Sequence, residues 1–99
     1  MITVVYAADD VTPAGWELVR NIGKWGAKHN PDSHSDTLTN LSGKTNSVLW
    51  VFRHKSLAEY EVATNRRESD PTWTKLMKDA GPGPFWSNFQ IMFYKDVEP

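Results

Sequence analysis

The chain has 99 residues, room for one domain around one hydrophobic core. Eleven basic against twelve acidic residues give a formal charge of −1, which supplies no positive field to hold nucleic acid or an anionic membrane surface. There is no cysteine, hence no disulfide, thiol nucleophile or zinc–thiolate site, and packing alone must stabilise the fold. Twelve residues are aromatic (five Trp, four Phe, three Tyr), so a few large flat side chains must fill much of the core or line a pocket. No stretch approaches the roughly 18 apolar residues of a membrane span, and MITVVYAADD lacks the charged start, apolar run and cleavage pattern of a signal peptide. A soluble, cytoplasmic protein is expected.

Residues 2–8 (ITVVYAA) are β-branched and aromatic and end at Asp9-Asp10, which predicts a first strand. Thr12 then offers an N-cap hydroxyl, with Pro13 at the first helical position and Val11 and Trp16 at the staple positions. Leu18, Ile22, Trp25 and His29 recur at helical spacing until Asn30-Pro31, which predicts a helix over 13–29. A polar loop containing His34 leads to an alternating stretch over 37–41. A turn, SGKTN, joins it to SVLWVFRH at 47–54, and the two strands make a hairpin. Ser56 and Glu59 fit a capping box that opens a helix over about 57–69. Asp70-Pro71 opens a third helix through Trp73, Leu76 and Met77, which the breaker GPGP ends at 81–84. The last strand is expected over 89–95.

The order β-α-β-β-α-α-β over one domain, residues 1–99, is that of an α+β, ferredoxin-like fold with a four-stranded antiparallel sheet. Strand alternation puts Ile2, Val4, Tyr6, Val48, Trp50, Phe52, His54, Ile91 and Phe93 on one face. Thr3, Val5, Ala7, Leu49, Val51, Arg53, Met92 and Tyr94 fall on the other. Helices cover only one face of such a sheet, and water normally meets a polar second face. Here both are apolar, so a homodimer with sheets packed face to face is expected.

The helix-covered face gathers groups suited to proton chemistry. His54 stands in phase with Trp50 and Phe52 and could act as a general base, or simply end a strand in solvent. His29 lies on the inward stripe of the first helix, where the helix dipole alone gives a histidine reason to sit at the C-terminus. Tyr6, mid-strand beside Trp50, is a candidate pocket donor. These three residues are the catalytic candidates, with Trp25, Trp50, Phe52, Trp86 and Phe89 as the candidate walls of a pocket for a small hydrophobic or aromatic molecule. Trp86 is included because it follows the GPGP breaker, which reads as a hinge beside a cavity mouth. Arg67 shares a helical face with Tyr60 and Thr64 and could meet a substrate carboxylate, or leave its head in water. The histidines lack metal-ligand spacing, and neither metal nor cofactor is expected.

The segment from Ser47 to Pro99 resembles the C-terminal half of bacterial NIPSNAP-type proteins, within the dimeric α+β barrel superfamily. The features that carry the resemblance are LWVF running into Ser56-Leu57-Ala58-Glu59-Tyr60-Glu61, then Asp70-Pro71-Thr72-Trp73, then an apolar last strand. The first half fits the topology but carries no motif of the family. The resemblance implies a homodimer whose sheets close into a barrel, with a cavity between sheet and helices in each subunit. The wider superfamily includes cofactor-free monooxygenases, cyclases, isomerases and haem-binding proteins, and the resemblance itself implies no particular reaction; cofactor-free catalysis in secondary metabolism, haem binding through one histidine and a non-catalytic binding module stand as the readings for this chain.

Overall fold

A computed structural model describes residues 1–30, 35–43 and 46–97, so His34 lies outside the described residues. Seven elements follow one another: β1 (Ile2–Asp9), α1 (Pro13–His29), β2 (Ser35–Thr39), β3 (Val48–His54), α2 (Leu57–Glu68), α3 (Pro71–Asp79) and β4 (Ser87–Lys95). The four strands form one antiparallel sheet in the order β2-β3-β1-β4, the ferredoxin-like arrangement expected from the sequence.

The register fixes the two faces. Val4 pairs with Phe52 and Phe93, and Tyr6 pairs with Trp50 and Ile91, so these side chains share the helix-covered face as alternation requires. The fully enclosed core is narrow. Among the described residues its apolar members are Val4, Tyr6 and Ala8 of β1, Val48 and Trp50 of β3, and Val11, Leu18 and Val19 at and within α1. Neither α2 nor α3 has a buried residue.

Helix starts follow the sequence signals. Thr12 Oγ1 accepts from the Gly15 N–H at 3.0 Å, and Asp70 Oδ1 accepts from the Thr72 N–H at 2.8 Å. At α2 the Glu59 N–H donates to Ser56 Oγ at 3.2 Å, but the Glu59 carboxylate reaches one residue further back than a capping box requires, to the Lys55 N–H at 3.1 Å. The ends of β1 and β3 move by one residue, and two strands move by two. The strand expected over 37–41 spans Ser35–Thr39, because Thr39 already pairs with Val48, the first residue of β3, and nothing remains beyond it to pair. The last strand begins at Ser87 rather than 89, since a register shift lets Ser87 pair with Asp9.

The segment after GPGP, expected as a hinge, is tied to the helix start here. The Thr12 N–H donates to Phe85 O at 2.9 Å and the Thr12 hydroxyl donates to Pro84 O at 2.7 Å, tying this strap to the start of α1. The strap crosses the helix at Gly15, where a Cβ would lie 2.1 Å from Phe85 O and 2.8 Å from Val11 Cγ1. Gly15→Ala should therefore cost about 1–3 kcal/mol by overpacking. Gly23→Ala, in the same helix with nothing within 4 Å, should stabilise by up to about 1 kcal/mol. Urea denaturation of the two variants checks the opposite signs.

Candidate functional site

Helix α2 presents Tyr60, Thr64 and Arg67, spaced i, i+4, i+7, to the sheet, a half-buried and largely polar stripe where a core helix would carry aliphatic residues. Such a stripe cannot close down on the end of β3. A cleft of about 630 Å³ remains between β3, α2 and the C-terminus of α1, lined among others by Tyr6, Trp25, Phe52, His54, Tyr60 and Arg67.

At its floor the Tyr6 and Tyr60 hydroxyls are 2.7 Å apart, a hydrogen bond that joins the central strand to α2. Burial pushes the Tyr6 phenol above its ordinary 10.0, the bond to Tyr60 pushes the same way, and the Arg67 guanidinium pulls partly back. Phe52 meets the Tyr6 ring edge-on at 5.6 Å. The rings of His54 and Phe93 meet Tyr60 edge-on at 5.5 and 5.3 Å. Arg67 lies over the face of Trp73, 5.1 Å from the ring centroid, and its Nε is buried with no hydrogen-bond partner among the described residues.

The two histidines stand differently. His29 stacks on Trp25 at 4.7 Å, its Nδ1 lies 2.9 Å from Trp25 O, and its Nε2 lies 3.2 Å from Thr72 Oγ1. Thr72 Oγ1 also accepts from Trp25 Nε1 at 2.9 Å and donates to Asp70 Oδ1 at 2.6 Å. Those bonds, with the nearby His29, hold the Asp70 carboxyl below its ordinary 3.8. His29 borders the cleft, yet both its ring nitrogens serve a latch between the end of α1 and the start of α3. His54 borders the cleft with no hydrogen bond to its ring among the described residues.

Of the aromatic walls expected, Trp25 and Phe52 line the cleft. Trp50 does not: it is 6% exposed and packs against Trp86 at 5.3 Å, inside the core. The tied strap turns Trp86 inward onto Trp50 and Phe89, so Trp86 stands away from the cleft as well. Phe89 stacks on Tyr6 at 6.0 Å from the β4 side. Sequence reasoning missed Tyr60, although its phase with Thr64 and Arg67 marked a polar inner stripe. It also missed Thr72, whose hydroxyl organises the latch. A second depression of about 470 Å³ runs between α1 and α3 and is bordered by Lys24, Lys28 and Leu76, away from the tyrosine pair. Among the described residues no group of acids and histidines could hold a metal ion, and no helix is long and apolar enough to cross a membrane.

The same architecture occurs in solved structures. An uncharacterised NIPSNAP domain protein from Burkholderia xenovorans superposes with a TM-score of 0.77 at 15% identity, over 98% of this chain and 95% of the other. A NIPSNAP family protein of unknown function from Agrobacterium tumefaciens gives 0.74 at 15% identity, over 98% and 88%. The fold is that of the NIPSNAP domain proteins. A putative antibiotic biosynthesis monooxygenase from Deinococcus radiodurans is also similar, with a TM-score of 0.60 at 13% identity over 100% and 95%. At such identities the likeness is one of fold, extending over the first half of the chain, where no motif announced it. No family profile and no curated protein matches the sequence.

The raised Tyr6 value has a consequence for stability. A group whose folded pKa lies above its unfolded one stabilises fully below the unfolded value, near 10.0, and loses that contribution as pH rises through the folded value. Tyr6→Phe should cost about 1 kcal/mol at neutral pH through the lost hydrogen bond. Denaturation at a series of pH values should show the gap between wild type and variant narrowing above pH 10.

Proposed function

We propose that the chain forms a homodimeric α+β barrel and binds a small aromatic or hydrophobic molecule in the cleft of each subunit. The observation that carries this reading is the cleft itself: about 630 Å³, with aromatic walls and a hydroxyl pair at its floor. Ligand sites need about 300 Å³ or more and a few convergent polar groups, and the cleft supplies both, with Trp25, Phe52 and the two tyrosine rings as the apolar part of a lining that is otherwise polar and charged.

The dimer rests on what the helices leave bare. On the helix side of β4, Phe89, Ile91 and Phe93 are 48%, 46% and 51% exposed. On the helix-free face Leu38, Leu49 and Tyr94 are exposed beside the half-buried Val5 and Val51. Apolar side chains exposed on both faces of one small sheet are more than a monomer commonly leaves to water, and a second copy of the same sheet is the natural complement of the helix-free face. Light scattering coupled to size exclusion should give a dimer at micromolar concentration. Val51→Lys, at the middle of the helix-free face, should shift it to monomer; a wild-type monomer would sink the proposal.

The chemistry that suits this cleft is proton transfer without a metal. His54 is placed to take a proton from a phenol or an acidic C–H, and the Tyr6–Tyr60 pair is placed to donate to the oxyanion that forms. This is the first step shared by cofactor-free monooxygenation, cyclisation and isomerisation, and the similarity to an antibiotic biosynthesis monooxygenase supports that group of reactions. The binding half of the reading is tested directly with 2-naphthalenemethanol, a neutral bicyclic probe followed by calorimetry. A Kd of about 1 mM or tighter is expected, abolished by Thr64→Trp, which would fill the cleft. Absence of binding to wild type would overturn it.

A further inference from the structure

We infer that the molecule held in the cleft carries a carboxylate, and that Arg67 receives it. The inference rests on the cleft being a ligand site and names the class of ligand. A planar aromatic acid fits the combination of flat walls and a single enclosed guanidinium.

Arg67 is positioned, and beyond its pull on the Tyr6 hydroxyl it has few polar partners among the described residues. Its guanidinium lies on the face of Trp73, which fixes the plane of the fork. Its side chain is only 24% exposed, and its Nε–H is buried without a hydrogen-bond partner among the described residues. Among the described residues the carboxylate paired with it is that of Glu68, at 3.6 Å and 61% exposed, too far for a hydrogen bond. An atom closed to water is closed to a ligand oxygen as well, so a carboxylate in the cleft would be met by the terminal N–H groups of the fork, with the buried Nε end and the Trp73 face fixing its orientation.

The charge of the lining points the same way. Arg53, Lys55, Arg66 and Arg67 border the cleft against two acids, Glu59 and Asp70. Both acids are engaged at helix starts, Glu59 with the Lys55 N–H and Asp70 with the Thr72 N–H and hydroxyl. The cleft is therefore locally cationic in a chain whose formal charge is −1. Proton counting adds a donor. Two phenols hold two protons, one of which lies between Tyr6 and Tyr60. Arg67 can only donate and cannot accept the second proton, which is therefore available to an acceptor such as a ligand oxygen. The aromatic walls Phe52 and Trp25 suit a flat apolar body rather than a bare phosphate.

The test compares 2-naphthoate with 2-naphthalenemethanol, alike in shape and different in charge, by calorimetry on the full chain. Wild type should bind the carboxylate at least tenfold more tightly. Arg67→Gln should abolish that preference by weakening carboxylate binding tenfold or more, while the alcohol stays within threefold and so reports an intact cleft. Arg67→Lys keeps the charge but lacks the Nε–H and the planar fork, and should retain only part of the preference; it replaces the Gln variant if that variant does not fold. Equal binding of the two probes by wild type, or a preference that survives in both Arg67 variants, overturns the inference and leaves the apolar cleft standing. Failure of both probes to bind wild type overturns the inference and the cleft reading together.

Discussion

The sheet is wider than the helical cover a 99-residue chain can place on it, and most of the molecule's features follow from that shortage. Only α1 brings fully enclosed apolar side chains, Leu18 and Val19, to the two central strands. Helix α2 meets the end of β3 with Tyr60, Thr64 and Arg67, and α3 packs on α1 and α2 rather than on the sheet. The core is therefore concentrated at one end, around Val4, Val48, Trp50 and the strap carrying Trp86. The other end holds a cleft instead of a core. Aliphatic residues at 60, 64 and 67 would close that end and stabilise it by hydrophobic burial. Natural sequences depart from good packing chiefly where a site needs the room, which gives the polar stripe its meaning.

The Tyr6–Tyr60 hydrogen bond is what holds α2 at its working distance. Without apolar side chains to set the spacing, a hydroxyl pair at 2.7 Å, ring contacts from His54 and Phe93, and the Trp25–His29–Thr72–Asp70 latch at the far end define where the helix pair lies. These contacts are directional and few. They give a cleft of fixed geometry at modest stabilisation, each hydrogen bond contributing on the order of 1 kcal/mol.

Much of this was legible from local rules. The Thr12-Pro13 and Asp70-Pro71 caps, the Ser56 hydroxyl and the period-2 pattern of β1, β3 and β4 gave seven elements in their observed order and both sheet faces correctly sorted. Boundaries slipped at β2 and β4, where pairing partners rather than propensity decide the ends. The site was legible in part. Tyr6, Phe52 and His54 reached the cleft because strand alternation alone places them there, and Trp25 because helical phase does. Trp50 and Trp86 share the face of those residues but sit at its enclosed end, and position along a strand is a tertiary property that alternation does not encode. His29 met a hydroxyl 43 residues away, a contact no local pattern announces.

The bare edge of the sheet and the cleft are physically one problem. Phe89 stacks on Tyr6 and Phe93 meets Tyr60 edge-on, so the two β4 residues that stand half exposed also form the outer wall of the hydroxyl pair. In an isolated chain water reaches that wall, raises the local dielectric and weakens every charge acting on Tyr6, Arg67 included. A second copy that covers β4 would dry the wall from outside without touching the cleft mouth beside His54 and Arg66. Hydrogen bonds and charge pairs at the floor then act in a medium of lower dielectric, where a donor left unmade costs more and an anion placed on it is held harder. In the proposed homodimer, a partner that reached past the helix-free face around the β4 edge to Phe89 and Phe93 would couple dimer formation to ligand capture, because those two rings back the hydroxyl pair.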